Sequence, residues 1–139
     1  MGYGDLLHKS EQRTISPAIC VYIDANGLHE PNNERGHEAG DLMLRFVAES
    51  LMEQFPKGSL YRVGGDEFVV FPAPAEGQTC EDRMRSASAS ITAQGYSISY
   101  GIAAHESVVG LRELVREADE KMLESKRAYY AEHDRRVRK

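Results

Sequence analysis

Two short apolar runs, Leu60 to Val63 and Phe68 to Phe71, stand on either side of Gly64-Gly65-Asp66-Glu67, and this arrangement leaves the chain few ways to fold. Short runs of branched and aromatic residues form strands, and a Gly-Gly pair between them predicts a tight β-hairpin. Asp66 and Glu67 then lie at or just past the tip. Side chains alternate along a strand, so these neighbours are expected on opposite faces, in different roles. Uncompensated carboxylates beside a tight turn make a natural site for a hard cation.

The remaining elements decide what meets that tip. A short helix is expected around Asp5 to Ser10. Ala18 to Ile23 is a continuous apolar run that reads as a buried strand ending at Asp24. Ala25 to Gly36 is polar, with Gly27, Pro31 and two asparagines, and reads as a loop. Leu42, Phe46, Val47 and Leu51 follow helical spacing, which predicts a helix from about Glu38 to Gln54, stopped by Pro56. After the hairpin, Cys80 to Ala93 reads as a helix ended by Gly95, and Tyr96 to Ala103 alternates as a strand. Gly110 to about Tyr130 is a third helix, with Leu111, Leu114, Val115, Ala118, Met122 and Leu123 on one face.

The order β-α-β-β-α-β-α predicts an α+β, ferredoxin-like domain: a central mixed, largely antiparallel sheet from a βαββαβ core, plus a C-terminal helix. The third strand lies between the first and second, antiparallel to both. Because the third strand begins where the first ends, the hairpin tip lands beside Asp24. Asp24, Asp66 and Glu67 are thereby brought to one edge of the sheet.

Acids gathered at strand ends are the usual means of holding magnesium against substrate phosphates. Two such ions about 3.5–4 Å apart activate an attacking hydroxyl and stabilise a departing pyrophosphate. Asp24 and Glu67 are the candidate metal ligands, and the Ala25 carbonyl is a further oxygen donor. The loop from Asn26 to His29, with Gly27, can bring backbone N–H groups to a phosphate chain. Lys126 on the last helix offers a point charge for the same phosphates. Arg62 is read as bracing the fold, and His37 as a structural residue near a helix start.

With 139 residues and no linker or repeat, the chain is expected to be one domain over 1–139. Its net charge of -5 argues against polymeric nucleic acid as a partner. The basic run Arg135 to Lys139 reads as a solvated helix end. Cys20 and Cys80 lack paired or metal-ligand spacing, so reduced thiols and a cytoplasmic setting are expected. No stretch is apolar enough to span a membrane and Met1 is not followed by a signal sequence, although a longer parent protein could be membrane-anchored.

Gly64-Gly65-Asp66-Glu67-Phe68 resembles the signature of the GGDEF domain, the diguanylate cyclase family, letter for letter. The segment from Asp24 through Asp41, closing on Gly36-His37-Glu38-Ala39-Gly40-Asp41, resembles the family segment that opens with the metal aspartate. Ser99-Tyr100-Gly101-Ile102-Ala103 resembles a family strand. Ala118-Asp119 through Lys126 resembles the family's last helix, with Leu123 at a position usually tyrosine. The likeness covers nearly the whole chain, in order.

This resemblance implies a fold like the palm of nucleotide cyclases and a reaction in which two GTP, one on each subunit of a homodimer, become cyclic di-GMP and two pyrophosphates. It implies Mg2+, or Mn2+, on Asp24, Glu67 and the Ala25 carbonyl. Asp66 and Glu67 are the implied catalytic residues, with Asp66 helping to deprotonate the ribose 3′-hydroxyl. Gly27, Leu28, Asn32, Asp41 and Lys126 are the implied nucleotide contacts, with Asn32 and Asp41 on guanine and Lys126 on phosphate. A sensor or regulatory domain in a longer parent protein is also implied. The chain departs from the pattern in several places. Leu28-His29 stands for Phe-Lys, Pro31 and Asn33 replace an aliphatic residue and an Asp, and Tyr130 stands where a phosphate-binding Arg follows the lysine. Phe55-Pro56-Lys57-Gly58 stands where the family's inhibitory R-x-x-D would be, and the opening N-terminal element is missing. The alternative is a catalytically weak or inactive module that binds GTP or cyclic di-GMP, or dimerises, to regulate a partner domain.

Overall fold

The computed structural model describes residues 2–26, 37–73 and 79–137, the side chains of 37, 57 and 133–137 excepted. In chain order its elements are α1 (Tyr3–Ser10), β1 (Thr14–Ile15), β2 (Ala18–Ala25), α2 (His37–Gln54), β3 (Leu60–Arg62), β4 (Glu67–Val70), α3 (Cys80–Ala93), β5 (Ile98–His105), β6 (Val108–Val109) and α4 (Arg112–Val137). The four-stranded sheet has the order β3-β4-β2-β5, and every neighbouring pair is antiparallel. The strand after the hairpin thus lies between the two that precede it, as the element order predicts. A second, two-stranded ribbon joins β1 to β6. Strands of two residues carry no readable periodicity, which is why the sequence gives no sign of them.

Alternation along β2 feeds two separate cores. Val21, Ile23 and Ala25, with Phe68 and Val70 of β4, face α2 and α3 and meet Met43, Val47, Leu51, Met84, Ala87 and Ile91. Cys20, Val69 and Ala103 face the other way, toward Leu7 of α1 and Leu114, Val115 and Ala118 of α4. Met43, Val47 and Leu51 recur every fourth residue, the spacing that puts side chains on one helix face. Burying each such chain contributes about 1.5–3 kcal/mol. The expected apolar faces need two corrections. Leu42 is 57% exposed, because the buried stripe of α2 runs through its neighbour Met43, and Leu123 is 37% exposed, at the margin of a stripe that runs through Met122 as expected.

Helix ends follow local chemistry. Thr79 opens α3 by accepting a hydrogen bond from the Asp82 N–H at 3.0 Å. Gly95, at a φ of 91°, closes it: its N–H reaches the Thr92 carbonyl and the Tyr96 N–H reaches that of Ile91, a Schellman motif. The α4 helix runs on to Val137, beyond the expected end near Tyr130. Among the described residues, no helix is long and apolar enough to cross a membrane.

The backbone of α4 lies directly on β5. A Cβ at Gly101 would collide with the Ala118 carbonyl and the Met122 amide, both main-chain atoms of the helix. Neither can move aside alone. Gly101→Ala is therefore expected to destabilise the domain by about 1–3 kcal/mol, read as a lower urea midpoint at unchanged m-value.

Candidate active site at the hairpin tip

The register of β2 decides which residues meet. Asp24 stands opposite Glu67 on one side and Ser99 on the other. Just beyond, the Ala25 N–H donates to the Asp66 carbonyl at 3.0 Å, and the Asn26 N–H to the Ser97 carbonyl at 2.9 Å. The Asn26 side chain is buried. It donates to Ser97 Oγ at 3.0 Å and accepts from Ser99 Oγ at 2.8 Å. The end of β2 is thus gripped from both flanks, which fixes where Asp24 sits.

The expected tight hairpin is present, closed by three residues. The Val63 N–H donates to the Glu67 carbonyl at 3.0 Å, leaving Gly64, Gly65 and Asp66 as a three-residue bend, and neither glycine has a positive φ. A Cβ at Gly64 would stand 2.8 Å from Glu67 Oε1, so a larger residue there would shift the end of the Glu67 side chain. Arg62 ties the bend down. Its Nη2 donates to the Gly65 carbonyl at 2.6 Å and its Nε to the Gly64 carbonyl at 3.3 Å.

Asp24 is the electrostatic centre of the edge. It is only 3% exposed. Lys126 Nζ, reaching over from α4, donates to Asp24 Oδ2 at 2.5 Å, while Oδ1 is buried with no hydrogen-bond partner among the described residues. The acid is raised to about 6, by burial first; the Lys126 bond pulls against that rise and the charge of Asp66 adds to it. The bond to Asp24 in turn holds the Lys126 ammonium above its ordinary value.

The two tip acids do not divide between faces as strict alternation would have it. Asp66 belongs to the bend rather than to the strand, and it turns toward Asp24. Glu67 interacts with the hydroxyl of Tyr22, whose phenol is raised by burial first and by the Glu67 charge second. Among the described residues, no three carboxylate, histidine or cysteine side chains converge closely enough to hold an ion by themselves. The edge instead offers a buried acid with an unused oxygen, a second acid crowding it and a third across the ladder. Magnesium suits such a partial donor set, since it takes one or two carboxylates and completes its shell with water and substrate phosphate.

The other candidates scatter. Asp41, exposed on the first turns of α2, lines an open cleft of about 550 Å³ with Leu44, Met52, Leu60 and Arg62, so Arg62 borders both the cleft and the tip. The side chain of Ala25 is buried in the core, and its peptide lies at the β2 edge. Gly27, Leu28 and Asn32 lie outside the described residues. Tyr130, four residues beyond Lys126, meets Tyr129 edge-on at 5.0 Å between ring centroids. Phe55 is buried beneath the Arg83 guanidinium, 5.6 Å from its ring centroid, so that stretch serves packing. A separate cavity of about 460 Å³ lies by the start of β2, among Leu6, Ile15, Pro17, Phe71 and Leu111, and among the described residues no carboxylate lines it.

Tyr22 and the Asn26-Ser97-Ser99 cluster are site residues that the sequence reading passes over. Tyr22 was legible, since it precedes Asp24 by two on a strand and must share its face. The amide-hydroxyl cluster joins residues far apart in sequence and leaves no local signal.

Residues 4–131 match the family model described as diguanylate cyclase, GGDEF domain. The chain is 29% identical over 122 residues to diguanylate cyclase DgcS of Shewanella oneidensis, covering 83% of this chain and 41% of that protein. It is 32% identical over 115 residues to the probable diguanylate cyclase DgcI of Escherichia coli, covering 78% and 25% respectively. It thus spans less than half the length of these relatives. Among solved structures, the isolated GGDEF domain of TpbB (YfiN) from Pseudomonas aeruginosa superposes with a TM-score of 0.66 at 28% identity, over 89% of this chain and 78% of that one. With its sheet order, its hairpin tip and a family match over nearly its full length, this chain belongs to the GGDEF domain family.

Proposed function

We propose that this domain is a diguanylate cyclase, condensing two GTP into cyclic di-GMP and two pyrophosphates. The observation that carries the reading is the Asp24 carboxylate: buried, half-compensated by Lys126, with one oxygen unpartnered among the described residues and Asp66 pressing on it. A buried acid left in that condition is tuned for a cation beyond the one already present.

In this reading Asp24 and Glu67, with the Ala25 carbonyl, hold Mg2+ or Mn2+. The ion, when bound, lowers the pKa of the ribose 3′-hydroxyl and neutralises phosphate charge. Asp66, on the bend clamped by Arg62, takes the proton from that hydroxyl. Asp41 accepts from the N1–H and N2–H₂ of guanine, which adenine lacks, and the apolar floor of its cleft receives the base. Asn32 assists it, Gly27 and Leu28 bring main-chain N–H groups to the phosphates, and Lys126 holds phosphate charge. The second GTP arrives on another copy of the chain, because one tip presents one 3′-hydroxyl. We place the domain in the cytoplasm, attached to a sensor or regulatory domain in a longer parent protein.

A second reading draws on two observations. Glu67 is engaged by Tyr22, and Tyr130 stands where the family carries a phosphate-binding arginine. On that reading the domain binds GTP or cyclic di-GMP, or dimerises, without turnover. Incubation with GTP and Mg2+ at high protein concentration, followed by chromatography, separates the two: cyclic di-GMP supports the enzyme, and tight GTP binding without product supports the silent module.

Three substitutions sharpen the test. Glu67→Gln is expected to lower turnover about 100-fold or more with the circular dichroism spectrum unchanged. Asp41→Ala should erode the preference for GTP over ATP by roughly 100-fold, measured as the ratio of kcat/KM values. Asp24→Asn should raise the Tm of the metal-free protein at pH 7 by roughly 3 °C while removing activity. The sign follows from the direction of the shift. The fold holds this acid above its ordinary range, so keeping it ionised at neutral pH opposes folding, and a neutral amide relieves that.

A further inference from the structure

We propose that Lys126 is a tethered counter-ion that keeps the Asp24 site closed in the metal-free domain and must leave Asp24 before a divalent cation is held there. The inference rests on the reading of Asp24 as a metal ligand. It adds an order of events and a coupling that the reading does not contain.

The geometry carries it. A carboxylate exposed by only 4% of its side chain cannot stay ionised without positive charge nearby, and Lys126, reaching it from α4, supplies that charge at 2.5 Å. The lysine side chain is 32% exposed, so its ammonium can swing into solvent along a flexible four-carbon stem without opening the core. The compensation is also incomplete. One oxygen is bonded, the other is buried with no partner among the described residues, and Asp66 adds a negative charge beside the pair. A dication approaching the bare oxygen meets an ammonium on the same carboxylate and is repelled by it. Removing that ammonium gives the site to the dication. The phosphates of a nucleotide offer the displaced ammonium a stronger anion than Asp24, so nucleotide and metal each make room for the other. Metal alone binds weakly; metal with nucleotide binds tightly, and the coupling passes through this one side chain.

The test measures Mn2+ binding by the free-ion electron paramagnetic resonance signal, on the full chain, with and without a non-hydrolysable GTP analogue. Lys126→Gln is expected to bind Mn2+ alone about tenfold tighter than the parent chain, and to lose a similar factor of the metal-nucleotide coupling. Lys126→Met, which keeps the stem without the charge, should agree with it. Lys126→Arg, which keeps the charge, should stay within about twofold of the parent. Circular dichroism melts verify that each variant is folded. Binding of Mn2+ alone that is unchanged or weaker in both uncharged variants overturns the counter-ion role. If Mn2+ binds, is lost in Asp24→Asn, and is indifferent to Lys126, the metal site stands and only this proposal falls. If no variant binds Mn2+ even with nucleotide, both fall together.

Discussion

The antiparallel register between β2 and β4 is the constraint on which the site depends. It sets Asp24 against Glu67 and, one step on, ties the Ala25 amide to the Asp66 carbonyl. Shifting that pairing by one residue would turn every side chain of β2 over, moving Val21 and Ile23 from one core to the other and carrying Asp24 away from Lys126. Two cores packed on opposite faces of one strand make such a slip expensive. The position of the acid is therefore enforced by hydrophobic burial on both sides of the sheet rather than by the polar contacts that decorate it.

Within that frame the polar edge is built from unequal pieces. Asn26, bound to Ser97 and Ser99, is satisfied and rigid. Arg62 satisfies the carbonyls of the tip. Among the described residues, Asp24 alone is left with an unused, buried side-chain oxygen. A buried, half-paired acid of this kind is where perturbed carboxylates mark function.

Much of this was readable before any coordinates. The apolar run of β2, the helical spacing of α2 and the glycines at 64, 65 and 95 carry strong local signals, and element order then dictates that the hairpin tip comes to Asp24. The gaps have physical reasons. Leu42 and Leu123 were assigned to buried faces because an apolar residue at helical spacing cannot be told from its neighbour by pattern alone; the rotation of each helix is set by packing against the sheet. The sequence predicts a tight hairpin with Asp66 and Glu67 on opposite faces, whereas the Val63-Glu67 bond places Asp66 in the bend and so out of strand alternation. The ion pair between Asp24 and Lys126 joins the first long strand to the last helix, and only the assembled fold reveals it.

The central claim is that Asp24 and Glu67 share one divalent ion at this edge. Anomalous diffraction from crystals grown with Mn2+ and a non-hydrolysable GTP analogue tests it most directly. The account predicts a manganese peak within ligand distance, about 2.0–2.2 Å, of a carboxylate oxygen of each residue, with the ammonium of Lys126 moved onto phosphate. A peak elsewhere, or nucleotide bound with Lys126 still on Asp24 and no metal between the two acids, would contradict it.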